Sequence, residues 1–289
     1  MRLKKGLAIS AIALAGALVL SGCTDSGASN DAVPVEEAPE FEAGTTMADL
    51  AEAGEITIGT KFDQPLFGLR GADSDPVGFD VEIGKLIAAK LGSPASGIKW
   101  IETVSANREP FLKAPGQVDL VIATYTINDA RKEVVSFAGP YYSAGQDLLV
   151  LAGNTDITGP EDLTDQPVCT VSGSTSEKNI AEYTTNIIAT DTYSNCPGPL
   201  RSGEVVAVTT DNVILAGIAD QNEGEFEVVN NAFTEEPYGI GLALDDTEFR
   251  NFINDVLEES YEDGSWVDAW ESTAGTVLDT PEPPAVDRY

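Results

Sequence analysis

The sequence predicts an α/β fold built as two lobes with a cleft between them. Strand signals alternate with helix signals along most of the chain, which is typical of a mainly parallel sheet covered by helices on both faces. The alternation runs through one series before Gln146 and a second series after it. Without the amino-terminal targeting segment and the acidic stretch that follows it, about 230 residues remain. This length is enough for one large domain or two small ones.

The first series begins with a short strand at 55–59, and residues 78–83 then lead into a helix that runs to Lys90. Apolar and β-branched residues predict the strands, and apolar residues at helical spacing predict the helices. The remaining elements follow as a strand at 98–101, a helix at 107–113, an apolar strand at 119–123 and a helix at 128–134.

The second series has strands at 148–152, 168–171 and 205–208, with helices that start at Ser176 and Asp211. The stretch 248–270 closes the pattern with apolar residues at helical spacing, which predicts helical structure. Those residues are Phe249, Phe252, Ile253, Val256 and Leu257. The Pro-rich end of the chain predicts an irregular terminus.

The amino-terminal residues predict export. A basic start precedes an apolar run at 7–20, which is shorter than the ~20 apolar residues of a membrane span. Small residues then lead to Cys23, and this end resembles a bacterial lipobox. We predict a signal peptide at 1–22, and the resemblance implies a lipid anchor on Cys23. The alternative is an ordinary secretory signal with an incidental cysteine.

The next residues predict a tether. Residues 24–45 hold six acidic side chains, no Lys or Arg, and one aromatic residue, Phe41. So little apolar surface does not offset the chain entropy lost on folding. We therefore predict a disordered acidic tether at 23–45.

Composition excludes several classes of function. With 48 acidic and 16 basic residues, the net charge of −32 repels nucleic acid and anionic lipid headgroups. We therefore expect no nucleic-acid partner, and membrane contact through the lipid anchor alone. The chain has no His, which removes the commonest hydrolase chemistries and leaves few metal ligands. We expect no metal and no cofactor.

The cysteine count predicts one disulfide. Of the three cysteines, Cys169 and Cys196 remain once Cys23 carries a lipid, and an exported protein meets an oxidising compartment. The bond closes a loop of about 27 residues, which contributes ~3 kcal/mol in the chain-entropy model.

Four segments, in order along the chain, resemble the polar amino-acid solute-binding proteins of ABC transporters, extracellular solute-binding protein family 3. Asn128 stands where the family usually has Thr, and the resemblance covers roughly 46–272. The segments are 78–88 (GFDVEIGKLIA), 119–131 (DLVIATYTINDAR) with 137–142 (FAGPYY), 171–175 (VSGST) and 207–211 (AVTTD).

This resemblance implies a two-lobed type II periplasmic-binding-protein fold whose lobes are joined by two hinge crossovers. We expect the crossovers near 143–146 and 234–238. The implied lobe 1 combines residues 46–144 with 238–272, the implied lobe 2 holds 145–237, and residues 273–289 form a C-terminal tail.

The resemblance also implies a ligand shell for a free amino acid. The planar fork of Arg131 matches a carboxylate, Thr126 adds an N–H and a hydroxyl, and Thr124 adds an acceptor for the ammonium. The alternative for Arg131 is a surface ion pair with Glu133.

The implied lobe 2 contributes the rest of this shell. Ser174 and Thr175 stand where a strand meets a helix N-terminus, which favours an anion; the alternative is a plain helix cap. Asp211 receives the ammonium, and its alternative is also helix capping.

Two cations stand where the family lines its side-chain pocket, Lys61 and Arg108, with Arg70 as a further candidate. They imply an acidic ligand, and the cysteine pair resembles that of glutamate-binding members from actinobacteria. The alternatives are rim ion pairs with Glu102 or Glu109, and a ligand such as glutamine, asparagine or aspartate.

These expectations combine into one function. We expect a solute-binding protein, lipid-anchored on the extracytoplasmic face of the cell membrane, that captures glutamate and delivers it to ABC permease subunits. We expect no bond-breaking step. The competing functions are an enzyme on the same scaffold, such as a dehydratase, and a sensor that presents its closed form to a receptor.

Overall fold

The computed structural model describes residues 33–72, 74–114 and 116–289, and those from Val33 onward form one compact unit. The predicted signal peptide, Cys23 and the first part of the predicted tether lie outside the described residues. No helix in the described part combines the length and apolar character that crossing a bilayer requires.

The described residues alternate between strands and helices. The strands are β1 (Ile56–Thr60), β2 (Asp63–Gln64), β3 (Gly68–Leu69), β4 (Ile98–Glu102), β5 (Leu120–Val121), β6 (Ser136–Ala144), β7 (Gln146–Leu151), β8 (Val168–Val171), β9 (Ile187–Thr190), β10 (Ala207–Asp211), β11 (Phe226–Val228) and β12 (Glu236–Leu242). The α-helices are α1 (Thr46–Ala53), α2 (Phe79–Lys90), α3 (Arg108–Lys113), α4 (Asp129–Lys132), α5 (Thr175–Ile180), α6 (Pro197–Ser202), α7 (Asn212–Gln221), α8 (Thr247–Asp263) and α9 (Ser265–Glu271).

The first sheet has the strand order β4-β1-β5-β12-β6 and forms the centre of lobe 1. Strand β1 runs parallel to β4 and β5, while β12 runs antiparallel to β5 and β6. Ile56 and Ile58 of β1 are buried, as expected for a strand covered on both faces.

The second sheet has the order β11-β7-β10-β8-β9 and forms the centre of lobe 2. Strand β8 is parallel to β9 and β10, and β7 is antiparallel to β10 and β11. All four residues of β8 are buried, which explains why this strand reads as a continuous run rather than an alternation.

The chain passes between the two sheets twice. Only Gly145 separates β6 in the first sheet from β7 in the second, and the chain returns between Val228 and Glu236. The crossings are adjacent, since a Cβ on Gly145 would lie 2.8 Å from the carbonyl oxygen of Thr234. These two crossovers and the two mixed sheets confirm the predicted fold class.

Both ends of the described chain build lobe 1. Helices α8 and α9 pack against α2 and β6, and Trp266 and Trp270 of α9 are fully buried. Edge-to-face contacts join Phe79 to Trp270, with ring centroids 5.1 Å apart, and to Trp266 at 5.4 Å. The Trp266 indole N–H also donates to the Tyr141 carbonyl oxygen at 2.9 Å. This aromatic cluster fixes the C-terminal helices on the sheet.

Residues 33–45 differ from the disordered tether we predicted. The Glu36 amide donates to the Ala89 carbonyl oxygen at 2.9 Å, and the Phe41 ring packs against Phe252 with centroids 5.5 Å apart. Thr45 caps α1 by accepting from the Ala48 amide. Lobe 1 supplies the apolar surface that the segment itself lacks. The prediction of disorder, made from the composition of the segment alone, was therefore wrong for residues 33–45.

The C-terminal tail is irregular, yet it is tied to lobe 1. The Asp287 amide donates to the Gly139 carbonyl oxygen at 2.8 Å, and the Tyr289 hydroxyl accepts from the Phe137 amide at 2.9 Å. Arg288 bonds to carboxylates on α8. These bonds attach the tail to the edge strand β6 and to the helix beside it.

Cys169 in β8 and Cys196 just before α6 form the predicted disulfide, with Cα atoms 5.7 Å apart. Both residues are buried in lobe 2. The bond joins a central strand to the irregular segment that follows the edge strand β9.

Replacing both cysteines, Cys169→Ala with Cys196→Ala, removes a cross-link that limits the unfolded chain. We expect the free energy of unfolding to fall by about 3 kcal/mol, measured by urea denaturation under oxidising conditions. Wild-type protein treated with a reductant is the matched control and should lose a similar amount. Equal stability of variant and wild type would show that the cross-link does not stabilise the fold.

Candidate ligand-binding site

A small, narrow cavity lies between the two lobes. Lobe 1 contributes Arg108 and Thr124 to its wall, and lobe 2 contributes Thr175, Tyr193 and Asp211. Most predicted ligand residues therefore lie at or beside one cleft, although they are far apart in sequence.

Arg131 is held at the cleft by the start of α4. The Asn128 side chain caps this helix by accepting from the Arg131 amide at 3.0 Å. The guanidinium is buried, donates from Nη1 to the Thr126 carbonyl oxygen at 2.7 Å, and pairs through Nε with Glu109 Oε1 at 3.1 Å. Its ion-pair partner is thus Glu109, not the Glu133 of our alternative.

Thr126 and Thr175 meet across the cleft. Their hydroxyl oxygens are 3.4 Å apart, and the Thr175 hydroxyl donates to Glu236 Oε2 at 2.8 Å. The lobes also touch where a Cβ on Gly173, at φ +74°, would lie 2.9 Å from the Ala106 Cα. Only glycine tolerates both this φ and so close an approach of the Ala106 backbone. These contacts between the two lobes show that the cleft is closed.

Ser174 has the capping role that we gave as an alternative. Its hydroxyl accepts from the Glu177 amide at 2.9 Å and donates to the Val171 carbonyl oxygen at 2.7 Å. Because its side chain is used by α5, Ser174 fixes the helix start beside Thr175.

Asp211 carries an incomplete set of hydrogen bonds. Its Oδ2 accepts from the Tyr238 hydroxyl at 2.6 Å, while the buried Oδ1 has no partner among the described residues. Burial, followed by the nearby Glu236 carboxylate, raises the pKa of Asp211 to about 7. Its side chain does not cap α7, so the capping alternative is wrong. A buried carboxylate oxygen without a donor is matched chemically by an ammonium group.

Thr124 adopts a left-handed backbone with φ +43°. Asp80 holds this conformation by accepting from the Thr124 amide at 2.8 Å, and the Thr124 hydroxyl lies 3.0 Å from Gln64 Oε1. Asp80 also accepts from the Tyr141 hydroxyl at 2.6 Å, and burial raises its pKa to about 7. A strained residue fixed by a buried carboxylate is typical of a binding site.

Lys61 and Arg108 are both buried, with 2% and 3% of their surface exposed. Lys61 Nζ donates to the Ser105 hydroxyl at 2.9 Å, and Arg108 donates from Nη1 to the carbonyl oxygens of Ala123 and Thr124 at 3.3 and 3.2 Å. Within the described residues neither cation forms a salt bridge, so the rim ion pairs that we gave as the alternative are absent. Burial, and next the Arg108 charge, lowers the pKa of Lys61 to about 7.

Sequence reasoning missed Glu236 and Asp80. Glu236 is buried at the start of β12 and accepts from Thr175, Asn179 and Thr234. Its only sequence signal is its position in the predicted second crossover. Asp80 lies inside a segment that we quoted for the resemblance, and its acidic side chain within an apolar helix start was a usable signal.

Among the described residues, no group of three or more Cys, Asp or Glu side chains is arranged to hold a metal ion. The cleft instead offers fixed cations, hydroxyls and one free carboxylate oxygen. Such a set binds a small zwitterion.

Residues 56–271 match the model of the bacterial extracellular solute-binding proteins, family 3. The glutamate-binding protein GluB of Corynebacterium efficiens is 40% identical over 271 residues, covering 90% of this chain and 86% of that protein. The ABC transporter glutamine-binding protein GlnH of Bacillus subtilis is 33% identical over 268 residues, covering 91% and 95%. An ancestral arginine-binding protein bound to glutamine superposes with a TM-score of 0.71 at 34% identity, covering 76% of this chain and 97% of that one.

The raised pKa of Asp211 predicts a pH-dependent stability. The folded protein holds a proton on this carboxyl up to about pH 7, whereas the unfolded chain releases it near 3.8. This group therefore makes folding less favourable as the pH rises from about 4 to about 7. We expect Asp211→Asn to gain about 1–2 kcal/mol of unfolding free energy over the ligand-free wild type between about pH 5 and about pH 8, measured by urea denaturation.

Asp191→Asn is the matched control, because Asp191 is an exposed carboxylate on the same lobe. Its difference from the wild type should not change over this pH range. A constant difference for Asp211→Asn would contradict the raised pKa.

Proposed function

This chain belongs to the bacterial extracellular solute-binding proteins of family 3, and from that premise we propose that it captures free glutamate outside the membrane for an ABC importer. This chain is therefore a solute-binding protein rather than an enzyme. The observation that carries the proposal is that one closed cleft holds both the buried guanidinium of Arg131 and a carboxylate oxygen of Asp211 that has no hydrogen-bond partner among the described residues.

A free amino acid fits this pairing at its main-chain end. The ligand carboxylate faces Arg131 from lobe 1 and the first amides of α5, at Thr175, from lobe 2. The ligand ammonium faces Asp211 Oδ1, with Thr124 supplying a further acceptor. Each charged group of the ligand thereby replaces lost water with an opposite charge or a hydrogen bond.

The side-chain end supports an acidic ligand. Arg108 lines the cavity and Lys61 is buried beside it, bonded to Ser105 of the same wall, and neither has a carboxylate within salt-bridge distance among the described residues. Burying unpaired charge is costly, and the distal carboxylate of glutamate offsets that cost. The side-chain amide of glutamine in the same position directs its N–H donors toward the donors of Lys61 and Arg108. The name of the GluB relative, with 40% identity, supports the same ligand.

The alternative ligand is glutamine, which the GlnH relative favours by its name. Asparagine and aspartate carry the same main-chain groups as glutamine and glutamate. Their shorter side chains reach less far toward Lys61 and Arg108. The two cations favour a carboxylate over an amide for the electrostatic reason above.

Capture proceeds by closure of the two lobes, with no bond broken. The ligand first meets Arg131 and Thr126 on lobe 1, the two crossovers bend, and lobe 2 adds Thr175 and Asp211. Closure is favoured because the ligand bonds to both lobes only in the closed form. That form then docks on a permease; presentation to a receptor is the alternative.

We also propose that the protein is exported and held on the extracytoplasmic face of the membrane by a lipid on Cys23. This proposal rests on the basic start, the apolar run at 7–20 and the cysteine that follows the small residues. A lipid chain contributes apolar burial in the bilayer and leaves the lobes in water. Because residues 33–45 pack on lobe 1, the proposed tether is shorter than its acidic composition implied.

Arg131→Ala removes the cation proposed to hold the ligand carboxylate. We expect glutamate affinity to fall by about 100-fold or more, measured by isothermal titration calorimetry, because a buried charge is left without its partner. Lys113→Ala, which removes an exposed cation on α3, is the matched control and should bind as the wild type does. Retained tight binding by Arg131→Ala would be incompatible with the proposed shell.

The double variant Lys61→Met with Arg108→Gln removes both pocket charges and keeps a donor near the carbonyl oxygens of Ala123 and Thr124. We expect glutamate affinity to fall about 100-fold and glutamine affinity to change less than about threefold, by the same calorimetry. Thermal unfolding of the variant checks that lobe 1 is intact. A parallel loss of both ligands would refute the role of these cations in selecting the carboxylate.

A further inference from the structure

Tyr125 lies between Thr124 and Thr126, the two threonines that lobe 1 places at the cleft, and its side chain is fully buried. Its ring packs edge-to-face against Phe137 of β6, with ring centroids 4.7 Å apart. Gly241 of β12 leaves room for the ring, because a Cβ there would lie 2.8 Å from Tyr125 Cε1. Two neighbouring strands of the first sheet therefore hold this ring in one place.

The two arginines of the cleft both lie over this ring. The Cζ atom of Arg108 is 4.5 Å from the ring centroid, and the Cζ atom of Arg131 is 4.9 Å from it. Both distances are within the ~6 Å at which the electron-rich face of an aromatic ring attracts a cation. Among the described residues, no other aromatic ring is shared by two guanidinium groups.

The backbone on either side of the ring holds the same two side chains. Arg108 donates from Nη1 to the carbonyl oxygens of Ala123 and Thr124, and Arg131 donates from Nη1 to that of Thr126. Peptide carbonyls and an aromatic face carry only partial negative charge, so they hold a guanidinium without cancelling its positive charge. This short segment therefore fixes both cations and leaves their charge for an anion.

The two guanidinium groups repel each other. Burial, followed by the positive charge of Arg131, lowers the pKa of Arg108 to about 10. Glu109 bonds to Arg131 through Nε and is not within salt-bridge distance of Arg108. Tyr125 stays a neutral phenol, because burial and next the Glu109 charge raise its pKa. The face of its ring is thus a neutral group that both cations share, and it offsets part of their repulsion.

We propose that Tyr125 is a positioning residue whose ring holds Arg108 and Arg131 at a fixed spacing, so that the two carboxylates of an acidic ligand each meet a guanidinium that is already in place. The inference rests on the proposed function, in which Arg131 takes the main-chain carboxylate and Arg108 the distal one. Two like charges that are free to move separate, and gathering them around a ligand costs side-chain entropy. Because the ring fixes them when the protein folds, less entropy is lost when the ligand binds.

The first test is isothermal titration calorimetry of Tyr125→Leu with glutamate and with glutamine. Glutamate, which engages both guanidinium groups, is expected to bind about tenfold more weakly than to the wild type, and glutamine, which engages the charge of one, about threefold more weakly. Tyr125→Phe keeps the ring and is expected to bind both ligands within about twofold of the wild type. Its lost hydroxyl matters little, because no described atom is placed to bond to it.

Phe249→Leu is the matched control. It removes another buried ring of lobe 1, which has no cation over it in the described part of the chain. This variant is expected to bind both ligands as the wild type does. A loss equal to that of Tyr125→Leu would show that any missing ring loosens the lobe, and it would overturn the specific role of Tyr125.

The second test separates the charge of the ring face from its shape. Phenylalanine at position 125 with one, two or three fluorines keeps the ring outline and progressively weakens its negative face. Relative to the same series at position 249, the Tm of the ligand-free protein is expected to fall with each fluorine, by about 3 °C in total, because two buried cations lose their attraction to the ring. Equal Tm values in the two series would overturn the hold of the ring on the cations, even if Tyr125→Leu does not fold.

The outcomes separate this inference from the proposed function. A wild type that binds glutamate tightly, with a Tyr125→Leu variant that binds it equally well, overturns the positioning role of Tyr125 and leaves the proposed function standing. A wild type that binds neither ligand overturns the proposed function and the positioning role together. The fluorine series then still decides whether the ring holds the two cations.

Discussion

The structure depends on one electrostatic constraint: charges of both signs are enclosed between two lobes without fully neutralising each other. Lys61 and Arg108 lie buried on lobe 1 without a carboxylate partner, and Asp211 keeps one oxygen without a donor among the described residues. Once the cleft is closed, little water remains to screen these charges. The electrostatic interactions among them are therefore stronger there than on an exposed surface. The proposed ligand, a zwitterion that carries an additional negative charge, is complementary to this arrangement.

The scaffold meets this constraint by bringing the ends of distant strands together. Strand β12 supplies Glu236 and Tyr238, which bond to Thr175 and Asp211 of lobe 2, although β12 itself belongs to the first sheet. The crossover and the site thus share one element, so that bending at the crossover changes the site directly. Under the proposed function, hydrogen bonds from β12 couple the movement of lobe 2 to the ligand contacts.

Lobe 1 needs a rigid frame because it carries the two unneutralised cations. The aromatic cluster of Phe79, Trp266 and Trp270 joins α2 to α9, and residues at both ends of the described chain pack on the same lobe. In lobe 2 the disulfide has a similar structural role, because it fixes the turn 193–195 that faces Asp63. Fixed walls reduce the conformational cost of enclosing a small ligand.

The sequence by itself determined the elements and the chemical types. Local periodicity predicted β1, α2 and α8, because burial of one face repeats within a few residues. The resemblance of four ordered segments to the family implied that Arg131 and Asp211 share a cleft. Only the tertiary structure decided which partner each charge meets. Arg131 pairs with Glu109, Tyr141 reaches Asp80 across 61 residues, and the acidic segment 33–45 packs on α8 and α2. These pairings come from the topology of the sheets and leave no periodic signal, so no local pattern could reveal them.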